Sequence, residues 1–139
     1  MQFIENGPNI PDALLQAHED GRVVFFCGAG ISYPAGLPGF ESLVKKVYEI
    51  VGEEPNDTEA AAISNKQFDT ALGLLEHRIV GSRFSVRSAV MDALEPNLHI
   101  DGAVDTHRAL LTLSRDMDGV IRLITTNFDK LFAEAAKQL

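Results

Sequence analysis

RVVFFCGAGIS, residues 22–32, decides how the chain reads: an apolar run without period-two alternation empties directly into glycines. Such a run is expected of a strand buried on both faces of a parallel sheet, so the pattern predicts a strand over 22–27. The stretch GAGISYPAGLPG, residues 28–39, holds four of the 11 glycines and two of the six prolines, and predicts an ordered loop without regular structure. A strand that runs into glycines ahead of a helix is the general device for bringing backbone close to a pyrophosphate, because glycine lacks the Cβ that would block the approach. Two familiar versions of it are excluded. Tyr33 stands where the dinucleotide fingerprint needs its third glycine, and no Gly-Lys-Ser/Thr follows to make a P-loop. A glycine turn with no ligand remains the alternative at this point.

Outward from this stretch the chain alternates helix and strand sparsely. Residues 10–20, IPDALLQAHED, predict a short helix stopped at Asp20-Gly21. Phe40, Leu43, Val44, Val47, Tyr48 and Val51 fall at helical spacing and are closed by Gly52, which predicts an amphipathic helix over 40–51. Between 53 and 96 the apolar positions Phe68, Leu72, Leu75 and Ile79, a break at Gly81-Ser82, then Phe84, Val86, Val90 and Leu94 predict two or three helices and no strand. DTHRALLTLSR, 105–115, predicts a helix capped by Asp105 or Thr106. VIRLIT, 120–125, predicts a second strand, followed by TNFD and a helix over about 130–138 with Asp129 placed to cap it.

Composition narrows the function classes. The 139 residues carry 12 Lys+Arg against 20 Asp+Glu, a formal net charge of −8, the wrong sign for a surface that tracks nucleic-acid phosphates. No apolar stretch approaches the ~20 residues of a membrane span, the longest being 23–27, and MQFIENGPNIPD lacks the basic start and apolar core of a signal peptide, so a cytoplasmic protein without membrane contact is expected. The single cysteine, Cys27, makes neither an internal disulfide nor a four-thiolate zinc site and reads as a small core residue; no metal site is expected.

GAGIS at 28–32, GLPGF at 36–40 and TTNFD at 125–129 occur in order, with a helical block between the second and third. In this the chain resembles the sirtuin family, whose members carry GAGxS, then G-[IL]-P-x-F, then, after a helical insertion, T-Q-N-[IVF]-D at the end of a later strand. The resemblance runs from about Asp12 onward and includes THRALLTL at 106–113. It implies an α/β fold, the front half of a sirtuin-type, Rossmann-like parallel-sheet domain. On this reading 1–40 with 105–139 form the partial NAD-binding domain and 41–104 an inserted helical module.

The resemblance also implies a cofactor, NAD, and a set of residues. Gly28, Ala29, Gly30 and Ser32 would line the diphosphate and nearby ribose, with the amides of 29–32 as donors. Pro38 and Phe40 would belong to the loop that closes over the nicotinamide end, and Thr125 to the strand end beside it. Asn127 would hold a water or the ribose near the anomeric carbon, and Asp129 would bind the carboxamide. Nicotinamide leaves neutral while positive charge develops on the ribose, so an amide and a carboxylate there suit the transition state. Other roles stay open: Asp129 as a helix cap, Asn127 as a turn residue, Phe40 as the first core position of its helix.

Two departures point away from lysine deacylation. Glu41 and Ser42 stand where deacylating sirtuins carry an arginine, and Thr126 replaces the T-Q-N-x-D glutamine. Both changes resemble the sirtuin-like domains of prokaryotic defence and signalling proteins, which imply NAD hydrolysis. The family's general-base histidine lies beyond T-Q-N-x-D, whereas His18, His77, His99 and His107 all precede it, with His107 read as a capping or packing residue. The expectation is therefore a NAD hydrolase domain represented by its front part, inactive by itself. The alternatives are a regulatory module that binds NAD or ADP-ribose without cleaving it, and, third, a deacylase. Self-association and fused effector or sensor domains remain open.

Overall fold

The computed structural model describes residues 1–79 and 85–139. In chain order the elements are α1 (Asp12–Glu19), β1 (Phe25–Cys27), a 3-10 helix (Ala29–Ala35), α2 (Phe40–Val51), α3 (Asp57–Ser64), α4 (Phe68–Arg78), α5 (Val86–Ala93), α6 (Asp105–Leu113), β2 (Leu123–Thr125) and α7 (Leu131–Ala136). The fold is α/β, mostly helical, with a two-stranded parallel sheet. The break expected at Gly81-Ser82 and the apolar position Phe84 lie outside the described residues. The chain divides into two compact units, Met1–Ile31 with Val104–Leu139, which carries the sheet, and Ser32–Ala103, which is helical. The first boundary falls before the GLPGF segment, because Ala35 and Leu37 are buried and the Asn97 amide donates to the Ala35 carbonyl at 3.0 Å, tying 32–40 to the helices.

In the sheet-bearing unit, α1 ends where the pattern puts it: Gly21, at φ +66°, lets the Arg22 amide fold back to the Ala17 carbonyl at 2.8 Å. The strands are shorter than the apolar runs predict. β1 and β2 pair in register Phe25↔Leu123, Phe26↔Ile124 and Cys27↔Thr125. Val120 and Ile121 are drawn the other way: Asp116 accepts the Val120 and Asp118 amides, and Ile121 forms an antiparallel bridge to Arg115. That turn leaves only Leu123–Thr125 for the parallel ladder, and the ladder limits β1 to the same three residues. The expected burial on both faces is also not met: Val24, Phe26 and Ile124, which share one face, are exposed, since none of the described elements covers it. Cys27, on the opposite face, is buried, and burial pushes its thiol up, so it packs as a small apolar residue. α6 begins without the expected side-chain cap; Val104 is the cap position, and Asp105 instead pairs with Arg108 at 2.7 Å.

The helical unit is built on α2, whose Leu43, Val44, Val47 and Tyr48 are buried against Leu75 of α4 and Val86, Ala89 and Ala93 of α5. Gly52, at φ +76°, closes α2 in the left-handed conformation expected of a glycine stop. Asn56 and Glu59 form a capping box at the start of α3. Glu59 is wholly enclosed and meets Arg78 of α4 through two hydrogen bonds of 2.9 and 3.1 Å; the same guanidinium reaches Glu53 at 2.7 Å. Burial opposes ionisation of Glu59, but Arg78, the Asn56 amide and the Tyr48 hydroxyl outweigh it and hold the carboxyl below the ordinary glutamate value. Tyr48 in turn is pushed up to about 12 by burial and by that carboxylate.

The sign of the pH effect follows. A carboxyl whose folded pKa is depressed stabilises the fold above its ordinary value of 4.5, and that contribution is lost as pH falls through the folded value. Melts of the wild type followed by helix signal should therefore shift to lower midpoints as pH drops below 4.5, and Glu59→Gln should flatten the dependence. An equal slope in the two proteins would assign the acid sensitivity elsewhere.

Candidate functional site at the strand ends

Parallel pairing places two of the singled-out motifs side by side. Cys27 and Thr125 are register partners at the last position of each strand, so Gly28 and Thr126 leave the sheet from the same end. The exit is stitched: the Thr126 amide donates to the Cys27 carbonyl at 3.2 Å, and the Thr125 hydroxyl donates to the same carbonyl at 3.1 Å. The Asn127 amide donates back to the Thr125 hydroxyl oxygen at 3.1 Å, which bends the chain into the turn 126–130. The cap position of α7 is Lys130 and not the expected Asp129, which stands one residue ahead and accepts the Leu131 amide at 3.0 Å. Asn127 and Asp129 are half-buried, and Thr125 is exposed.

The glycine segment is not the irregular loop that its composition predicts. Ala29–Ala35 winds as a 3-10 helix with Pro34 inside it, opened by a 3.3 Å bond from the Ile31 amide to the Gly28 carbonyl. Its glycines fall into two kinds. Gly36 has φ +78° and a Cβ there would meet Ile100 at 3.3 Å, while a Cβ on Gly39 would meet the Tyr33 hydroxyl at 2.9 Å. The fold requires Gly36 through its left-handed backbone, whereas at Gly39, with an ordinary φ of −72°, an exposed tyrosine side chain need only swing aside. Gly28 and Gly30 are not required, since neither takes a left-handed φ and a Cβ on either would meet nothing within 4 Å. The space beside them is open.

Gly28, Ala29, Gly30, Thr125, Asn127 and Asp129 belong to the sheet-bearing unit; Ser32, Pro38 and Phe40 belong to the helical unit. Ser32 is buried. Phe40 is 58 % exposed and is no core position despite opening α2. It lines an open cleft of about 470 Å³ with Tyr33, Glu41, Ser42, Lys66 and Phe68. Tyr33 and Lys66 carried no functional signal in the sequence; Lys66 has φ +59°, a conformation that costs a non-glycine residue energy.

His107 is a packing residue: it is fully enclosed and meets Phe132 edge to face at a centroid distance of 4.8 Å. Burial pushes its pKa down, and the Asp129 charge opposes the shift. His18 lies at the other end of β1, edge-on to Phe25 and with its Nε2 2.6 Å from the Leu113 carbonyl oxygen. Among the described residues no group of three or more His, Cys, Asp or Glu could hold a metal ion, and no helix is long and apolar enough to cross a membrane.

The chain is 41 % identical over 134 residues to an uncharacterized protein, y4cA, of Sinorhizobium fredii, an alignment that covers 95 % of this chain and 11 % of that protein. The chain thus spans about a tenth of the length of the curated relative it matches. No family model and no solved structure matches it.

Proposed function

We propose that this chain supplies the front half of a sirtuin-type, Rossmann-like NAD site, and that the activity it serves is hydrolysis of the nicotinamide–ribose bond. The observation that carries the reading is the pair Gly28 and Gly30, glycines that the fold itself does not require, placed beside the TTNFD turn. Ligands of open α/β sheets sit outside the carboxyl ends of the strands, and open backbone there suits a diphosphate. The residues divide the work. Gly28, Ala29 and Gly30 would admit the diphosphate. In the helical unit the exposed Phe40 ring offers a flat apolar surface, in keeping with the nicotinamide role that the resemblance gives it and Pro38. Asn127 would fix the ribose or the attacking water, and the Asp129 carboxylate would favour the positive charge that grows on the ribose as a neutral group departs.

A second reading, a module that binds NAD or ADP-ribose and regulates attached domains, draws on the histidines of the sheet-bearing unit. His107 is enclosed and His18 sits at the opposite end of β1, so neither presents a proton acceptor at the strand ends. Deacylation has no such support, with Glu41 and Ser42 in the place of the family's arginine.

Calorimetric titration of the wild type and of Gly30→Val with NAD and with ADP-ribose tests the site. The valine side chain would occupy the open space, so affinity should fall at least about tenfold, while the thermal midpoint should change little, loop changes of this kind costing under ~1 kcal/mol. Equal affinity in the two proteins would remove the glycine segment from the site. Absence of binding in the wild type would overturn the proposal as a whole.

A further inference from the structure

The cleft of about 470 Å³ at the start of α2 lies wholly within the helical unit and is walled by three rings, Tyr33, Phe40 and Phe68. Tyr33 and Phe40 are both exposed, and flat apolar faces gathered at one place suit a planar apolar group. Tyr33 lies across the beginning of α2, close enough that a Cβ on Gly39 would meet its hydroxyl at 2.9 Å. The charge available in the cleft is that of Lys66. Glu41 is engaged by Lys45 at 2.7 Å. Lys45, Lys46, Arg78 and Arg87 of the helical unit each meet an acceptor, whereas the Lys66 ammonium meets none among the described residues. Lys66 also stands where lysine brings the backbone no advantage. Its amide donates to the Ile63 carbonyl and the Gln67 amide to the Ala62 carbonyl, both at 2.9 Å, the paired bonds that close a helix end around a left-handed residue. Glycine is the usual occupant of that position, and Lys66 takes φ +59° in its place.

We propose that this cleft binds a small planar aromatic carboxylate, its ring laid against Tyr33 and Phe40 and its carboxylate accepting from the Lys66 ammonium and the Ser42 hydroxyl. The inference goes beyond the NAD reading, with which it shares only Phe40, and stands without it. Charge selects the ligand. Aromatic rings also hold cations, but Lys66 repels a cation, and the carboxylate that would attract one, Glu41, is already paired with Lys45. A single unpaired ammonium matches one carboxylate better than a phosphate monoester, which carries about −1.5 to −2 at neutral pH. The volume is within the range of sites that take small molecules, and the three rings supply the apolar lining such sites have.

Amide resonances of the 139-residue chain, followed while phenylacetate is added, test the site. Saturable shifts should centre on residues 39–42 and 66–68. Phenylacetamide, which lacks the charge, and cyclohexylacetate, which lacks the flat ring, should each bind more weakly. Lys66→Gly separates binding from folding, because glycine suits the left-handed position: its thermal midpoint should stay or rise, while phenylacetate affinity falls about fivefold, the upper end of what one exposed ion pair supplies. Tyr33→Ala should weaken binding with the midpoint unchanged, since the ring it removes is exposed. Shifts that never saturate or that scatter over the chain overturn the proposal. So does equal affinity for the acid and the amide, or full affinity in Lys66→Gly. If NAD moves the resonances of 39–42 and phenylacetate does not, the aromatic-carboxylate site fails and the nicotinamide role of Phe40 stands in its place; if NAD moves nothing and phenylacetate does, the NAD reading fails alone.

Discussion

Arg78→Met should destabilise the helical unit by about 3 kcal/mol, because it strands Glu59, which has 0 % exposure, as a buried carboxylate without its cation. Removing one partner of a buried pair costs about 3–5 kcal/mol, and the low end applies here because the Arg78 side chain is itself 32 % exposed and partly screened. The loss should be larger at pH 7 than at pH 5, where the stranded carboxyl can take up a proton. Adding Glu59→Gln should recover most of it: the amide keeps the acceptor for the Asn56 backbone N–H and leaves no charge behind. Urea melts of the four proteins of this cycle, followed by circular dichroism, measure the coupling. A single variant as stable as the wild type would show that the ion pair holds nothing together.

Asn127→Ala should cut NAD cleavage by about 100-fold, the scale of losing one preorganised polar group at a reacting centre, while NAD affinity falls much less. The asymmetry is expected because Asn127 is proposed to act where the anomeric carbon becomes electron-poor, a charge absent from the bound ground state. Its main chain is pinned by the Thr125 hydroxyl, so the substitution should not move the turn. The measurement is made on a form of the protein that turns over NAD. Nicotinamide release and NAD affinity are read on the same two proteins. An enzyme-like rate in Asn127→Ala would remove the residue from the chemistry, and a wild type that holds NAD for hours without releasing nicotinamide would favour the regulatory module.

Helices with one apolar stripe and a glycine stop were legible from the sequence, and sheet extent was not. The spacing of 40–51 gives α2 its observed bounds, Phe40–Val51, because an amphipathic stripe and a left-handed glycine are both local signals. β1 and β2 fell to three residues each because the length of a ladder depends on its partner, and the Asp116 turn that diverts Val120 and Ile121 involves side-chain acceptors that an apolar run does not announce. The 3-10 winding of Ala29–Ala35 was hidden by a glycine and proline content that usually means irregular loop. At the strand ends, the sequence order of GAGIS and TTNFD suggested a common site, but their adjacency depends on the parallel register of Cys27 with Thr125. The capping box had a readable signature, Asn56 three residues before Glu59; the contact of Glu59 with Arg78, 19 residues on, had none. His107 was legible as a capping or packing residue, and its enclosure against Phe132 decides for packing.

The two strand ends that make the candidate site come from positions 98 residues apart in the chain. Bringing such distant segments together from a disordered chain costs about 4 kcal/mol in loop entropy, by (3/2)RT ln n, for a ladder of only three residue pairs. The helices between them contact one another over shorter separations than the strands do, α3 with its neighbour α4 and α2 with α5, and can form first. Once they have formed, the intervening polypeptide no longer behaves as a long flexible loop, and the residual search for β1 by β2 shortens. Topology thus favours helices early and strand pairing late, with the turn after β2 last of all. Refolding should accordingly show two phases, helix signal recovering ahead of any ligand binding. A substitution such as Arg78→Met, far in sequence from either motif, should then slow the appearance of a competent site without altering one atom of it.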